Sequence, residues 1–366
     1  MMDGIKRFIT CHVPVHACNF QCMYCYISHL KIDNKKIFDF VMPAEDIANK
    51  LSKEVLGGTC YFNLCGNGET MLHPQLVDLA YGLTKEGHFA DIITNGTISK
   101  KFDEIIARFS EEQKKHLFIK FSFHYLELKR KNLMETFLSN VKKIREAGIS
   151  FTIEITPHDE LIPYIEEIKA FSLKEFGALP HITVARNEAT DDIELLTSLN
   201  RDKYKETWGQ FNSALFDFKF SIFNKKREEF CYAGEWSLEL DLKTGDYFQC
   251  YRGCKLGNIK DDKALKFRAI GKCCMPHCFN GHAFLAFGDI PKLESPTYCD
   301  ERNRVTNNGS QWLNEDCRDF FSSKVYENNS QYTDEEKKKC ISINNNARRI
   351  EKIKRIIRRV VGKDGE

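Results

Sequence analysis

The sequence predicts an α/β protein: a parallel sheet or partial barrel of six β/α units, then a smaller cysteine-rich α+β module, then a C-terminal helix. Three observations predict it. From residue 5 to about 187, short β-rich runs alternate with amphipathic stretches of helical period. Polar residues gather just past the C-terminal ends of those runs, the edge at which parallel sheets and barrels carry their sites. The fifteen cysteines cluster, with three between 18 and 25 and six between 231 and 278.

The units follow in order. A strand at 8–13 runs into the first cysteine cluster, and a helix opens at Pro43, well suited to N1, and stops at Gly57-Gly58. A second strand at 61–65 precedes a helix from about Pro74 to Gly87. The third, 90–94, ends in the turn Asn95-Gly96, before a helix over about 100–109. A fourth strand covers 118–123, a helix about 132–147 with Gly148 as its stop, a fifth strand 151–155 and a sixth 182–185. A helix over 204–223 leads out of this unit. Residues 237–251, turning at Thr244-Gly245, read as a hairpin that opens the cysteine-rich module. The expected domains are 5–200 for the barrel, 225–300 for the cysteine-rich module and 301–366 for a helical extension with a basic amphipathic tail.

Composition sets limits. A chain of 366 residues exceeds what a single core usually serves, so one large and one small domain are expected. A net charge of +2 gives no global field toward nucleic acid. The first residues hold no apolar stretch of signal-peptide type, and no run of ~18 apolar residues could span a bilayer. An odd number of thiols does not read as a disulfide framework; a reducing cytoplasm, with thiols serving metals or redox chemistry, is expected.

Cys18, Cys22 and Cys25 lie in CNFQCMYC with spacing C-x3-C-x2-C. Three thiolates on so short a loop can wrap one face of a cubane cluster and leave its fourth iron open, whereas electron-transfer clusters take four cysteines. A closed zinc site is the alternative, with His16 or His29 as fourth ligand. The loop resembles the signature of the radical S-adenosylmethionine (SAM) superfamily, in which an aromatic residue, here Tyr24, precedes the last cysteine. The resemblance implies a partial (β/α)6 radical SAM barrel and a [4Fe-4S] cluster whose open iron chelates SAM. It also implies reductive cleavage of SAM to a 5'-deoxyadenosyl radical that abstracts hydrogen from the substrate, with a reducing donor such as flavodoxin or ferredoxin.

Further residues carry the likeness round the barrel. Gly66-Asn67-Gly68-Glu69 resembles the family's Gly-Gly-Glu turn, with Asn67 in place of the first glycine of the pair. There Gly68 implies close backbone approach to the ligand and Glu69 an acceptor for its ammonium. Ser122, His124 and Glu154 stand where the family contacts the SAM ribose, and Arg186 past the sixth strand is placed to pair with the SAM carboxylate. Asn95 reads as a turn residue.

Cys231, Gly245 and Cys250 follow C-x13-G-x4-C, which resembles the opening of the SPASM and twitch modules that hold auxiliary Fe-S clusters. The C-x2-C-x5-C portion of a full SPASM module is missing, which implies a shortened, twitch-like module with one auxiliary cluster on Cys231, Cys250, Cys274 and Cys278. Cys273 or Cys254 could replace one of these, and His277 keeps a zinc knuckle open as an alternative. Cys299 is a further cysteine on offer to this module; Cys11, Cys60 and Cys65 read as core residues, and Cys317 and Cys340 receive no role.

In the tail, residues 347–361 put apolar side chains on one helical face and seven Lys and Arg on the rest. This suits either peripheral contact with an anionic membrane or a terminal helix docked on its own domain. Fewer than twenty residues precede the cluster, with no room there for the fused peptide-recognition domain of many peptide-maturing relatives. Small-molecule, carbohydrate and peptide substrates therefore stay level, and SPTYCDERNR (295–304) is similar to members linked to surface-polysaccharide pathways. Auxiliary clusters in the family favour oxidation or cross-linking. The competing class is a zinc-stabilised binding protein or a barrel that no longer turns over.

Overall fold

The computed structural model describes residues 4–25, 27, 35–187, 193–251, 253–278 and 281–361, with the backbone alone for 351 and 354–361. His29, one of the zinc ligands weighed above, lies outside the described residues. Six parallel strands form as the alternation requires: β1 (Arg7–Val13), β2 (Cys60–Gly66), β3 (Phe89–Thr94), β4 (Leu117–Ser122), β5 (Ser150–Ile155) and β6 (His181–Ile182). Helices α1 (Ala44–Lys50), α2 (Leu76–Lys85), α3 (Ser99–Arg108), α4 (Met134–Glu146) and α5 (Ile165–Glu175) intervene. The helix expected to run to Gly57 breaks at Ser52, whose hydroxyl caps a separate turn by accepting from Val55 N at 3.4 Å.

The sheet is larger than six strands. β7 (Ser237–Asp241) pairs parallel with β1, and β8 (Asp246–Phe248) and β9 (Lys255–Asn258) extend it antiparallel, giving the order β9-β8-β7-β1-β2-β3-β4-β5-β6. The hairpin expected to open a separate module therefore completes the barrel wall. Its strand buries Leu238 and Leu240 beside Ile9 and Cys11, area that a free hairpin would leave in water.

Side chains alternate across the sheet. Ile119 and Phe121 face the helices with Phe102, Phe137 and Ile144, while Lys120 and Ser122 face inward. At the lower end of the barrel, Phe8, Tyr61, Phe89 and Phe118 meet Phe284, Phe287, Phe320 and Phe321 from late in the chain. Phe89 stacks on Phe320 with ring centres 3.9 Å apart. These come from α7 (Gly281–Ala286) and the turn after it and, past α8 (Tyr298–Arg302), which adds Tyr298, from α9 (Glu315–Ser322), with α6 (Ala214–Ile222) alongside.

The segment expected as an extension from 301 is thus partly a floor and edge of the barrel. Phe151 N donates to Trp312 O at 3.0 Å and Asn314 N to Ser150 Oγ at 2.9 Å. The last helix, α10 (Asp334–Val361), docks through buried Cys340 and Asn344, whose amide donates to Ala269 O at 2.8 Å. Ile350 and Ile353 beyond that contact are exposed. No helix among the described residues is long and apolar enough to cross a membrane.

Candidate active site

The cluster loop leaves β1 at the C-terminal edge of the sheet and is pinned to its neighbours. Glu69 N donates to Ala17 O at 2.9 Å, and Asn95 Nδ2 donates to Asn19 Oδ1 at 2.7 Å. A Cβ on Gly68 would collide with the Ala17 carbonyl, so the glycine serves the packing of two loops. The expected close approach is therefore to the cluster loop itself. Asn95 both makes its turn, accepting from Thr97 N at 3.2 Å, and ties that turn to the cysteine loop.

Cys18 is exposed, Cys25 half-buried and Cys22 buried, with Cys25 N closing onto Cys22 O at 3.1 Å. Burial pushes the Cys22 thiol up to about 12, although the Tyr24 hydroxyl works against it. A thiol so placed gives up its proton only as a cation replaces it, which is how thiolate sites couple metal binding to proton release. Among the described residues no three His, Cys, Asp or Glu converge tightly enough for a single metal ion. A polynuclear cluster does not demand such convergence, since several metal atoms stand between its ligands.

Tyr24 is a strut as well as a wall. Its hydroxyl shares a 2.8 Å hydrogen bond with His124 Nδ1, and its ring stacks on His158 at 3.7 Å. Burial, with His158 adding to it, holds His124 down to about 4, so the imidazole is neutral. Glu69 is buried; it accepts from Thr94 Oγ1 at 2.6 Å, Met71 N at 3.1 Å and Asn95 N at 2.7 Å. Burial raises its pKa and these three donors oppose the rise.

Below the loop lies a cavity of about 240 Å³. Tyr24, Gly66, Ser122, His124, Glu154 and Arg186, all expected at a ligand, line it. Glu154 departs from its expected part: Lys120 Nζ lies 3.2 Å and Arg302 Nη1 2.8 Å from its Oε2, so it centres an ion-pair triad instead of offering a free acceptor. Cys65, expected in the core, faces this cavity. Lys120, Lys219, His282 and Arg302 also line it and were missed. A period-two reading of LFIKFS would have put Lys120 on the inner face; no local signal marks Arg302.

A second, small cavity is lined by Cys231, Cys250, Cys273 and Cys278 with Met275 and His277. Cys274 is exposed and does not line it, whereas Cys273, the alternative weighed for the set, does. Neighbours in a chain point apart, and only Cys273 turns inward. Cys254 and Cys299 do not line this cavity either. Asn224 N donates to His277 Nδ1 at 2.9 Å, which commits one ring nitrogen. Tyr251 lines both cavities and stands between them.

Residues 13–172 match the family model described as Radical SAM superfamily. The chain carries a radical SAM domain. A comparison with curated proteins gave no match. Among solved structures, Streptococcus suis SuiB is similar at 17% identity and TM-score 0.48, over 71% of this chain and 65% of that one. The structure titled native anSMEcpe with bound AdoMet is similar at 15% identity and TM-score 0.47, over 70% of this chain and 79% of that one. The chain thus spans just under two thirds of the length of SuiB. The radical SAM domain begins at the last residue of β1 and ends within α5, which takes in the cluster loop, the Glu69 turn and His124.

Proposed function

We propose that this radical SAM enzyme holds its [4Fe-4S] cluster on Cys18, Cys22 and Cys25 and abstracts hydrogen from a substrate in the barrel cavity. Bound there, the cluster and SAM supply reductive cleavage of SAM and the 5'-deoxyadenosyl radical. The observation that carries the reading is the three-cysteine loop pinned over a cavity lined by Tyr24, Ser122 and His124. The chain's own part is to fix the loop through Asn95 and the Glu69 turn, and to enclose the site with a floor of aromatic side chains that excludes water.

Four cysteines round the second cavity support one auxiliary Fe-S cluster on Cys231, Cys250, Cys273 and Cys278. Placed across Tyr251 from the substrate, such a cluster suits an oxidation that removes a second electron. Flavodoxin or ferredoxin in a reducing cytoplasm is the proposed donor. Anaerobic reconstitution with iron and sulfide, then dithionite and SAM, tests the reading. 5'-Deoxyadenosine is expected from the wild type and not from Cys22→Ala; equal amounts from both would remove it.

A further inference from the structure

Basic side chains outnumber carboxylates among the described residues that line the cavity. Lys120, Lys219 and Arg302 line it with Glu154, the one carboxylate among its described lining residues. Glu154 is already engaged by Lys120 and Arg302. Lys219 enters from α6 and donates to Thr183 Oγ1 at 2.6 Å; among the described residues no carboxylate lies within ion-pair distance of it. Two further acids, Asp91 and Glu301, lie behind this wall and do not line the cavity. Asp91 accepts from Asn63 Nδ2 at 2.8 and 2.9 Å and from Leu64 N at 3.1 Å. Glu301 is fully buried, and burial raises it to about 8, so it is uncharged at neutral pH.

Two cavity-lining side chains also keep a buried nitrogen without a partner among the described residues: Nε of Arg302, 1% exposed, and Nδ1 of His282, 9% exposed. Polar groups so placed cost free energy unless something pairs with them. Burial, and then Arg186, press Lys219 down to about 7, with Glu154 opposing. An anion beside Lys219 would relieve this stress.

We propose that the barrel cavity binds its substrate through an anionic group, a carboxylate or a phosphate, held by Lys219, Arg302 and His282. The proposal rests on the reading above, in which this cavity takes the substrate. The methionine carboxylate of SAM is a second source of the same chemistry. Arg186, the expected partner of that carboxylate, lines the same wall as Lys219 and lies close enough to act on it, so experiment has to separate the two sources.

Calorimetry on the anaerobically reconstituted protein tests this, with inorganic phosphate and acetate as probes, with and without saturating SAM. Saturable binding of at least one probe with SAM already bound is expected. It should weaken by roughly tenfold in Lys219→Gln and persist in Lys219→Arg, which keeps the charge, while SAM affinity holds in both variants. Absence of saturable binding to the wild type overturns the proposal. So does competition between probe and SAM together with weaker SAM binding to Lys219→Gln, since the cation would then belong to SAM. Anion binding without any 5'-deoxyadenosine would leave the anion site standing and remove the radical reading alone.

Discussion

Arg302 donates to Glu154 at 2.8 Å inside the barrel, joining a helix late in the chain to strand β5 across 148 positions. With Lys120 the pair forms a triad whose arginine is 1% exposed. Breaking a buried pair from one side strands the other charge. Arg302→Met should cost about 3 kcal/mol in urea unfolding, somewhat softened by Lys120, and adding Glu154→Gln should restore part of the loss. A loss under about 1 kcal/mol would show that the triad does not brace the floor.

Two buried acids set opposite pH trends. Burial would raise Glu154, but Lys120 and Arg302 overcome it and hold the carboxyl to about 2 against an ordinary 4.5. Its contribution is present above pH 4.5 and is lost as pH falls toward 2. Glu301, raised by burial to about 8, stays protonated when folded and ionises when unfolded, so its effect on stability declines from pH 4.5 to 8. Unfolding measured from pH 5 to 8 should show a flatter decline for Glu301→Gln than for the wild type.

Gly68 packs where a Cβ would strike the carbonyl of Ala17, a backbone atom that cannot swing away. Gly68→Ala should displace the cysteine loop, costing roughly 1–3 kcal/mol and lowering iron retained after reconstitution. Gly209→Ala, with nothing within 4 Å of the added carbon, should leave both near wild type.

Cys273 and Cys274 are adjacent, yet only Cys273 faces the second cavity. Reconstituted wild type should carry about eight iron atoms, Cys273→Ala markedly fewer, and Cys274→Ala the wild-type amount. About four in the wild type would end the auxiliary-cluster reading.

Much of the first site was legible because its signals are local. The C-x3-C-x2-C loop, Tyr24 and the Glu69 turn lie within a few residues of strand ends, and alternation at periods two and 3.6 placed those ends. Pairing is not local. Nothing in residues 237–241 announces that they will lie parallel to β1, since an apolar strand fits either a module of its own or an open sheet edge. The choice between Cys273 and Cys274 was equally closed, because it turns on which way one short segment faces the helices behind it.

The sequence by itself determined the six parallel strands, the edge at which polar residues gather and the loop of three cysteines proposed to hold the cluster there. Tertiary structure alone decided that β7 completes the wall, that the late helices close the floor, and that Lys120, Lys219 and Arg302 crowd one carboxylate within it. The difference is physical. Periodicity and ligand spacing are written along a few neighbouring residues, whereas a cavity's charge is a sum over side chains that only packing brings within reach of one another.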